Sequence, residues 1–164
     1  IPVLVHGGRL LRQSLAIMDY LDEIWTSGIP LVPAVARDRQ RVRAIAQMIA
    51  CDIHPLNNLR VMQYLESAFG ADQSQRDQWT RHWIRTGFVA LEKVLDDNPS
   101  TGTYCEGDMP TMADCCLVPQ VYNAKRFGIN VDEFPNIARI DAACLALPEF
   151  DAARPEKQPD APAA

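Results

Sequence analysis

The sequence predicts a mainly α-helical protein whose first 26 residues form a short β-β-α unit. Apolar runs at 3–5 and 10–11 flank the pair Gly7–Gly8, which is typical of a β-hairpin. From Ser14 the apolar residues recur at helical spacing, so a helix follows the hairpin directly. After residue 33 the periodicity stays helical and is interrupted only by short segments rich in Gly and Pro.

The elements are predicted in the following order. Ser14 is placed to cap or open the first helix, and TSGIPLVP contains the linker to the helical domain. A long helix follows, kinked at Pro55 and ended by Gly70. The chain is predicted to divide into a β-β-α unit at 1–26, a linker at 27–33, a helical domain at 34–154 and an extended or disordered tail at 155–164. Within the helical domain, helices are predicted at 34–69, 73–95, 111–128 and 134–147, with a short one after Pro148.

Composition excludes several classes of function. The 164 residues are 48% hydrophobic and 23% charged, which indicates a folded globular protein. The net charge of −5 disfavours binding to nucleic acid, and no apolar run approaches the ~20 residues that a membrane-spanning helix needs. Five cysteines without a CxxC pair indicate reduced thiols in a cytoplasmic protein and no zinc site. Because the chain starts in strand-like sequence without Met, we expect residues upstream of Ile1.

The stretch CDIHPLNNLR is the part of the chain that fits a helix least well. Pro55 and two adjacent asparagines disfavour a helix interior. His54 and Asn58 share one helix face, whereas Arg60 reaches that face only if the kink redirects it. The residues alone allow two interpretations, a buried polar network between helices or a functional site. Asn57 has no assigned site role and is a candidate partner for the carbonyl that Pro55 leaves free.

Two further features lie at the ends of the helix predicted at 111–128. Thr111 and Asp114 have the spacing of a capping box, which fixes the start of the helix. Arg126 lies beside Lys125 near its end, where basic residues interact favourably with the helix dipole. Helix stabilisation is therefore one explanation for Arg126, and anion binding is the other.

Four stretches together resemble the zeta class of glutathione transferases, which includes the maleylacetoacetate and maleylpyruvate isomerases. They are QSLAIMDYLDE, CDIHPLNNLRVMQYL, YCEGDMPTMADCCLVPQVYNAKRFG and the closing PEKQPDA. The resemblance covers nearly the whole chain. It implies an all-helical C-terminal domain preceded by the β-β-α remnant of a thioredoxin-like, glutathione-binding domain.

The resemblance implies a glutathione site at the β-β-α unit. The backbone of Ile1 would pair with the cysteinyl unit of glutathione, beside a cis Pro2, and Gln13 with Ser14 would bind its γ-glutamyl end. A helix N-terminus with a free hydroxyl suits a carboxylate. Arg12 departs from the family pattern, which usually has Thr there, and adds a positive charge beside this anion site.

The remaining site residues come from the helical domain. By resemblance, His54, Asn58 and Arg60 line the cleft and contribute to glutathione binding. Arg126 matches an arginine that reaches the substrate carboxylate, and a planar guanidinium suits that task. No metal is implied.

The implied activity is glutathione-dependent cis-trans isomerisation of maleylacetoacetate or maleylpyruvate, both anionic keto acids. A general zeta-class transferase or dehalogenase is one alternative, and a non-catalytic helical dimerisation module is another. The family's catalytic Ser/Cys motif is expected upstream of Ile1, so the 164-residue chain alone should have little activity. The resemblance further implies a cytoplasmic homodimer that binds neither nucleic acid nor membrane.

Overall fold

A computed structural model describes residues 2–161 and begins with the predicted β-hairpin and helix. Strands β1 (Val3–His6) and β2 (Arg9–Arg12) are antiparallel, with Val3 opposite Arg12. Gly7 and Gly8 turn the chain with φ of 55° and 76°, values that glycine adopts without strain. Helix α1 (Ser14–Ile24) follows at once. The prediction of a β-β-α start is confirmed.

Six further α-helices follow the linker. Their bounds are α2 Ala36–Gln47, α3 Leu59–Phe69, α4 Gln73–Asp96, α5 Met112–Arg126, α6 Pro135–Leu145 and α7 Pro148–Ala152. The predicted helices at 73–95, 111–128 and 134–147 are confirmed to within a few residues. Asp72 and Gln75 form a capping box at the start of α4, and Gly70 ends α3 with a φ of 65°.

One apolar core holds these helices together. It is built mainly from α2, α4, α5 and α6, and its largest fully buried side chains include Phe88, Ile45, Ile84, Leu91, Met112, Leu117 and Ile137. Glu92 of α4 adds a polar connection, because its carboxylate accepts hydrogen bonds from the backbone amides of Asn136 and Ile137 at the start of α6. Among residues 2–161, no helix combines the length and apolarity needed to span a membrane.

The prediction of one continuous helix from 34 to 69 is wrong. Helix α2 ends at Gln47, and the chain continues as a wider π-helical turn, Met48–Ile53, and then a tighter 3₁₀ turn, His54–Asn57. The prediction of a disruption at Pro55 is right, since proline lacks the amide that would continue the hydrogen-bond ladder. Asn58 then leaves helical geometry and caps α3 by accepting from the amide of Arg60 at 3.2 Å.

One smaller expectation is confirmed in one of its two forms, and another needs correction. Ser14 opens α1 and does not cap it, because Gln13 occupies the capping position and α1 has no side-chain cap. The tail is not extended throughout its described part, since Pro155–Lys157 forms a 3₁₀ turn. Lys157 pairs with Asp151 of α7, which holds this turn against the helix.

The β-β-α unit is fastened to the helical domain through the linker. Asp22 of α1 accepts hydrogen bonds from the amides of Leu31 at 2.6 Å and Val32 at 3.2 Å. The carbonyl of Leu31 in turn accepts from the amide of Met112, the first residue of α5, at 2.9 Å. Arg43 of α2 also pairs with Asp19 of α1 at 3.1 Å. These bonds fix the C-terminal half of α1 relative to α2 and α5.

Gly87 of α4 lets the π-helical turn approach closely. A Cβ atom at this position would lie 2.4 Å from Cγ1 of Ile53, which is buried at the centre of that contact. We expect Gly87→Ala to lower the free energy of unfolding by about 1–3 kcal/mol, because overpacking outweighs the gain in helix propensity. Urea denaturation measures this change.

Two variants control this prediction. Ile53→Val in the Gly87→Ala background removes Cδ1, one of the clashing atoms, and should recover part of the loss. Gly28→Ala, where no atom lies within 4 Å of the added Cβ, should leave stability nearly unchanged. Equal effects of Gly87→Ala and Gly28→Ala would show that the close approach does not constrain the fold.

Candidate functional site

The first group of predicted site residues lies where β2 joins α1. Gln13 has a φ of 71°, the one positive value at a non-glycine residue between 2 and 161, and its side chain is exposed. Ser14 is half-buried at the first position of α1, where backbone amides remain free of helical partners. Pro2 is exposed directly before β1, and Ile1 lies outside the described residues. The junction therefore presents a hydroxyl, an amide side chain and a helix N-terminus together.

The second group lies on the non-α segment between α2 and α3. His54 is exposed at the start of the 3₁₀ turn, and Asn58 is half-buried at its end. Three hydrogen bonds hold this segment in place. Asn57 Nδ2 donates to the carbonyl of Ile53 at 3.0 Å, Trp79 Nε1 donates to the carbonyl of Leu56 at 2.7 Å, and Asn58 caps α3. The break in the helix is thus a fixed structure that presents polar side chains.

The two predicted arginines lie at the beginning of α3 and the end of α5. Arg60 is exposed in the first turn of α3, and Arg126 is exposed in the last turn of α5. Neither forms an ion pair within residues 2–161. Lys125, by contrast, pairs with the buried Asp141 at 2.6 Å. Of the two adjacent cations at the end of α5, Arg126 is the one whose charge remains available to an anion.

A side-chain hydrogen bond connects the second group to α5. Asn123 Nδ2 of α5 donates to Asn57 Oδ1 at 3.2 Å, one helical turn before Arg126. No hydrogen bond in the described part of the chain joins Gln13 or Ser14 to the 54–60 segment. The structure therefore brings the 54–60 segment and α5 into contact, whereas the α1 junction forms a separate cluster.

The start of α5 is anchored by a buried carboxylate. Asp114 accepts hydrogen bonds from the amide of Thr111 at 2.7 Å, the hydroxyl of Thr111 at 2.8 Å and the amide of Cys105 at 2.9 Å. This confirms the predicted capping box, with an added bond to the preceding loop. Its role is structural, since every contact it makes fixes the backbone from which α5 starts.

The thiols of the chain are poorly suited to nucleophilic chemistry at neutral pH. Burial raises the pKa of Cys115 to about 11, and burial raises the pKa of Cys116 and of Cys144 to about 12. Burial likewise raises the pKa of Cys105 well above its ordinary value. Because the thiolate is the reactive form, these four side chains are inert at pH 7. These four thiols therefore supply no nucleophile at that pH.

A cavity of about 730 Å³ lies away from the predicted site residues, between α5, α7 and the tail. Its walls include Val118, Tyr122 and Phe150, with Lys125 and Asp141 also lining it. None of the predicted site residues lines it. Within residues 2–161, no group of three or more His, Cys, Asp or Glu side chains could hold a metal ion.

Comparison with known proteins assigns this arrangement to a family. No protein-family model matches the chain. The chain is 47% identical to a probable maleylacetoacetate isomerase of Vibrio cholerae, over 98% of its own length and 74% of the relative. It is 46% identical to a maleylpyruvate isomerase of Ralstonia, over 98% of its length and 75% of the relative. The chain belongs to the maleylacetoacetate and maleylpyruvate isomerase family.

Solved structures of this isomerase family support the assignment at the level of the fold. A holo maleylpyruvate isomerase of the zeta class of glutathione transferases superposes with a TM-score of 0.95 at 46% identity, covering 99% of this chain and 76% of that one. A maleylacetoacetate isomerase of Methylobacterium extorquens, with bound malonate and glutathione, superposes with a TM-score of 0.95 at 39% identity. It also covers 99% of this chain and 76% of that one. The predicted family and its glutathione-transferase fold are thereby confirmed.

Sequence reasoning missed one residue that contacts the segment carrying predicted site residues. Asn123 lies within the stretch VYNAKR and received no role, although it contacts Asn57 across the helix interface. The available signal was a polar side chain on the side of α5 that faces other helices. Periodicity alone does not reveal its partner, because the two asparagines are 66 positions apart. Asn57 was expected to satisfy the carbonyl that Pro55 leaves free, which in an α-helix is that of Cys51, whereas the structure shows its Nδ2 donating to the carbonyl of Ile53.

The burial of the thiols predicts a simple pattern of chemical reactivity. Cys51 is the exposed cysteine, whereas Cys105 and Cys144 are buried and Cys115 and Cys116 are half-buried. We expect one thiol per folded chain to react rapidly with a disulfide reagent at pH 7.5, and four to react at least about 100-fold more slowly, since a raised pKa lowers the thiolate fraction. In denaturant all five should react together. Two or more fast thiols in the unmodified chain, or any fast thiol in the Cys51→Ser variant, would contradict this assignment.

Proposed function

We propose that this protein catalyses the glutathione-dependent cis-trans isomerisation of a maleyl keto acid to its fumaryl isomer. The observation that carries the proposal is the match of nearly the whole chain, at 46–47% identity, to isomerases named for maleylacetoacetate and maleylpyruvate. The polar break CDIHPLNNLR supports it, because His54, Asn58 and Arg60 are presented on a segment held by three hydrogen bonds. The substrate class is therefore a maleyl keto acid, with two named candidates.

The residues at the start of α1 fit glutathione chemically. The tripeptide has a γ-glutamyl end with a carboxylate and an ammonium group. Ser14 and the free amides of α1 suit the carboxylate, and the exposed Gln13 amide can donate and accept. The same donors would also bind other carboxylates. Glutathione is proposed as the ligand because similar solved structures contain it.

Bound glutathione supplies the nucleophilic thiol whose reversible addition to the conjugated double bond allows rotation about that bond. The chain's own residues would bind and orient the two anions. The guanidinium of Arg126, which has no carboxylate partner among residues 2–161, suits a substrate carboxylate. Arg60 offers a second positive charge near the 54–58 segment, where it would stabilise negative charge that develops during addition. His54 and Asn58 would position glutathione.

The same proposal assigns residues 1–26 to a thioredoxin-like domain whose remaining part lies upstream in the parent protein. The isolated two-stranded hairpin supports it, because such hairpins are marginally stable without further strands, and Val3, Val5 and Leu10 are exposed. This chain spans about three quarters of the length of its relatives. The serine- and cysteine-containing motif that lowers the thiol pKa of glutathione would be in that part.

The test is turnover of maleylacetoacetate and maleylpyruvate by the parent protein and by the 164-residue chain. We expect activity in the parent and little in the shorter chain. Full activity of the shorter chain would overturn the assignment of the catalytic motif. Turnover of a chloro-acid without turnover of either maleyl substrate would favour a dehalogenase, and failure to bind glutathione would favour a non-catalytic helical module.

Arg126 and Lys125 form a matched pair for testing substrate binding. We expect Arg126→Ala in the parent protein to lower kcat/KM for the maleyl substrate by about 10- to 100-fold, the usual cost of losing a hydrogen-bonded charge. The KM for glutathione should change little. Lys125→Ala removes a neighbouring cation that already pairs with Asp141, so it should lower stability and leave kcat/KM nearly unchanged. Equal kinetic effects of the two substitutions would contradict the role given to Arg126.

We further propose that the protein is a homodimer whose interface includes α3. Tyr64 and Phe69 pack edge-to-face with ring centroids 5.8 Å apart, yet they are 62% and 72% exposed. Exposed apolar clusters commonly mark protein interfaces.

We expect Tyr64→Glu to shift the protein from dimer to monomer in analytical ultracentrifugation. Met109→Glu, at an exposed apolar residue beyond the opposite end of α4, should leave the dimer intact. A wild-type protein that is monomeric in the same measurement would contradict the proposed homodimer.

A further inference from the structure

One side-chain bridge connects the two parts of the helical domain that carry predicted site residues. Asn123 Nδ2 on α5 donates to Asn57 Oδ1 at 3.2 Å, and both side chains are half-buried. Asn57 closes the turn that presents His54 and directly precedes Asn58. Asn123 lies one helical turn before Arg126 on α5. The bridge therefore lies between the segment expected to hold glutathione and the arginine expected to hold the substrate.

The Asn57 side chain is fully engaged by this arrangement. Its Nδ2 donates to the carbonyl of Ile53 at 3.0 Å, so its Oδ1 must point away from that carbonyl and toward α5. A side chain with a donor and an acceptor at this separation is needed to make both bonds. Asparagine satisfies this need, whereas alanine makes neither bond and aspartate lacks the donor for Ile53.

The bridge crosses an interface whose two sides are otherwise independently stabilised. On one side, the 3₁₀ turn is held by Trp79, which donates to the carbonyl of Leu56 at 2.7 Å. On the other side, Lys125 of α5 is paired with Asp141 of α6 at 2.6 Å. Loss of the Asn123 bond would leave each side folded while removing a directional contact between them.

We propose that Asn57 and Asn123 are positioning residues that fix the glutathione-binding segment relative to Arg126. The inference rests on the proposed function and deepens it, because the attacking thiol and the substrate double bond must meet at a defined distance. Displacements of about 1 Å can cost as much as 100-fold in rate. Neither asparagine needs to touch a ligand for this role.

The decisive variant is Asn123→Ala in the parent protein, because it removes the bridge and leaves the bond from Asn57 to Ile53. We expect kcat for the maleyl substrate to fall by about 10-fold or more, a larger change than the rise of about 3-fold expected in the KM values. Asn57→Ala should have a larger effect, since it loses both bonds. The effects of the double variant should be clearly less than additive, as for residues in direct contact.

Asn136→Ala provides the matched control. Asn136 Nδ2 bridges α6 to Glu92 of α4 at 2.9 Å, so its loss also removes an interhelical amide hydrogen bond, but away from the site. Thermal unfolding should show a similar loss of stability in Asn136→Ala and Asn123→Ala, while kcat falls only in the latter. If kcat falls equally in both, or in neither, the positioning role is overturned.

Ligand binding separates this inference from the proposed function. Isothermal titration with glutathione reports on the 54–58 segment, and titration with malonate in the presence of glutathione reports on the carboxylate site near Arg126. We expect Asn57→Ala to weaken malonate binding and Asn123→Ala to weaken glutathione binding, each by about 3-fold or more, because the sites are coupled. A protein that binds both ligands with the expected coupling but isomerises neither maleyl substrate would refute the proposed reaction and support this inference. If neither substitution changes the binding of the ligand at the other site, the coupling alone is refuted. If the unmodified protein binds neither glutathione nor malonate, the coupling and the proposed function are both refuted.

Discussion

The break between α2 and α3 is the constraint on which the arrangement of the site depends. Pro55 cannot donate the backbone hydrogen bond that an α-helix requires, so the chain widens into a π-helical turn and then tightens into a 3₁₀ turn. The carbonyls left free by this change would be costly if they stayed buried and unpaired. Asn57 and Trp79 satisfy two of them, those of Ile53 and Leu56. The break is therefore stabilised by side chains from its own turn and from α4.

The packing of α4 makes this arrangement possible. Gly87 has no side chain at the point where Ile53 of the π-helical turn approaches α4, and a residue with a Cβ atom would collide with it. Trp79 lies on the same helix two turns earlier and reaches the carbonyl of Leu56. One helix thus provides both the space and the hydrogen-bond donor. The segment that carries His54 and Asn58 takes its position from α4 on one side and from α5 on the other.

Local sequence signals predicted most of the fold, because most helices here are specified locally. The capping boxes at Asp72 and Thr111 and the glycine at position 70 lie within a few residues of the ends they define. The π-helical turn was missed because its apolar residues, Ile49 and Ile53, keep the spacing of an ordinary helix. The close approach of Ile53 to Gly87 of α4 also lies outside any local pattern, because the two residues are far apart in sequence. Ser14 opens α1, which was one of its two predicted roles, and Gln13 occupies the capping position with a positive φ.

Two properties of the chain bear on the chemistry of the site: the pKa values of its thiols and the availability of two of its arginines. Burial raises the pKa of four of its thiols, two of them buried and two half-buried, so these four do not serve as thiolate nucleophiles at neutral pH. The exposed arginines at positions 60 and 126 have no carboxylate partners among residues 2–161, although the chain has a net charge of −5. Because neither guanidinium is paired among these residues, both cations are free to bind external anions. A reaction between a thiol-containing tripeptide and a dianionic keto acid needs both features, an external thiol and available positive charge.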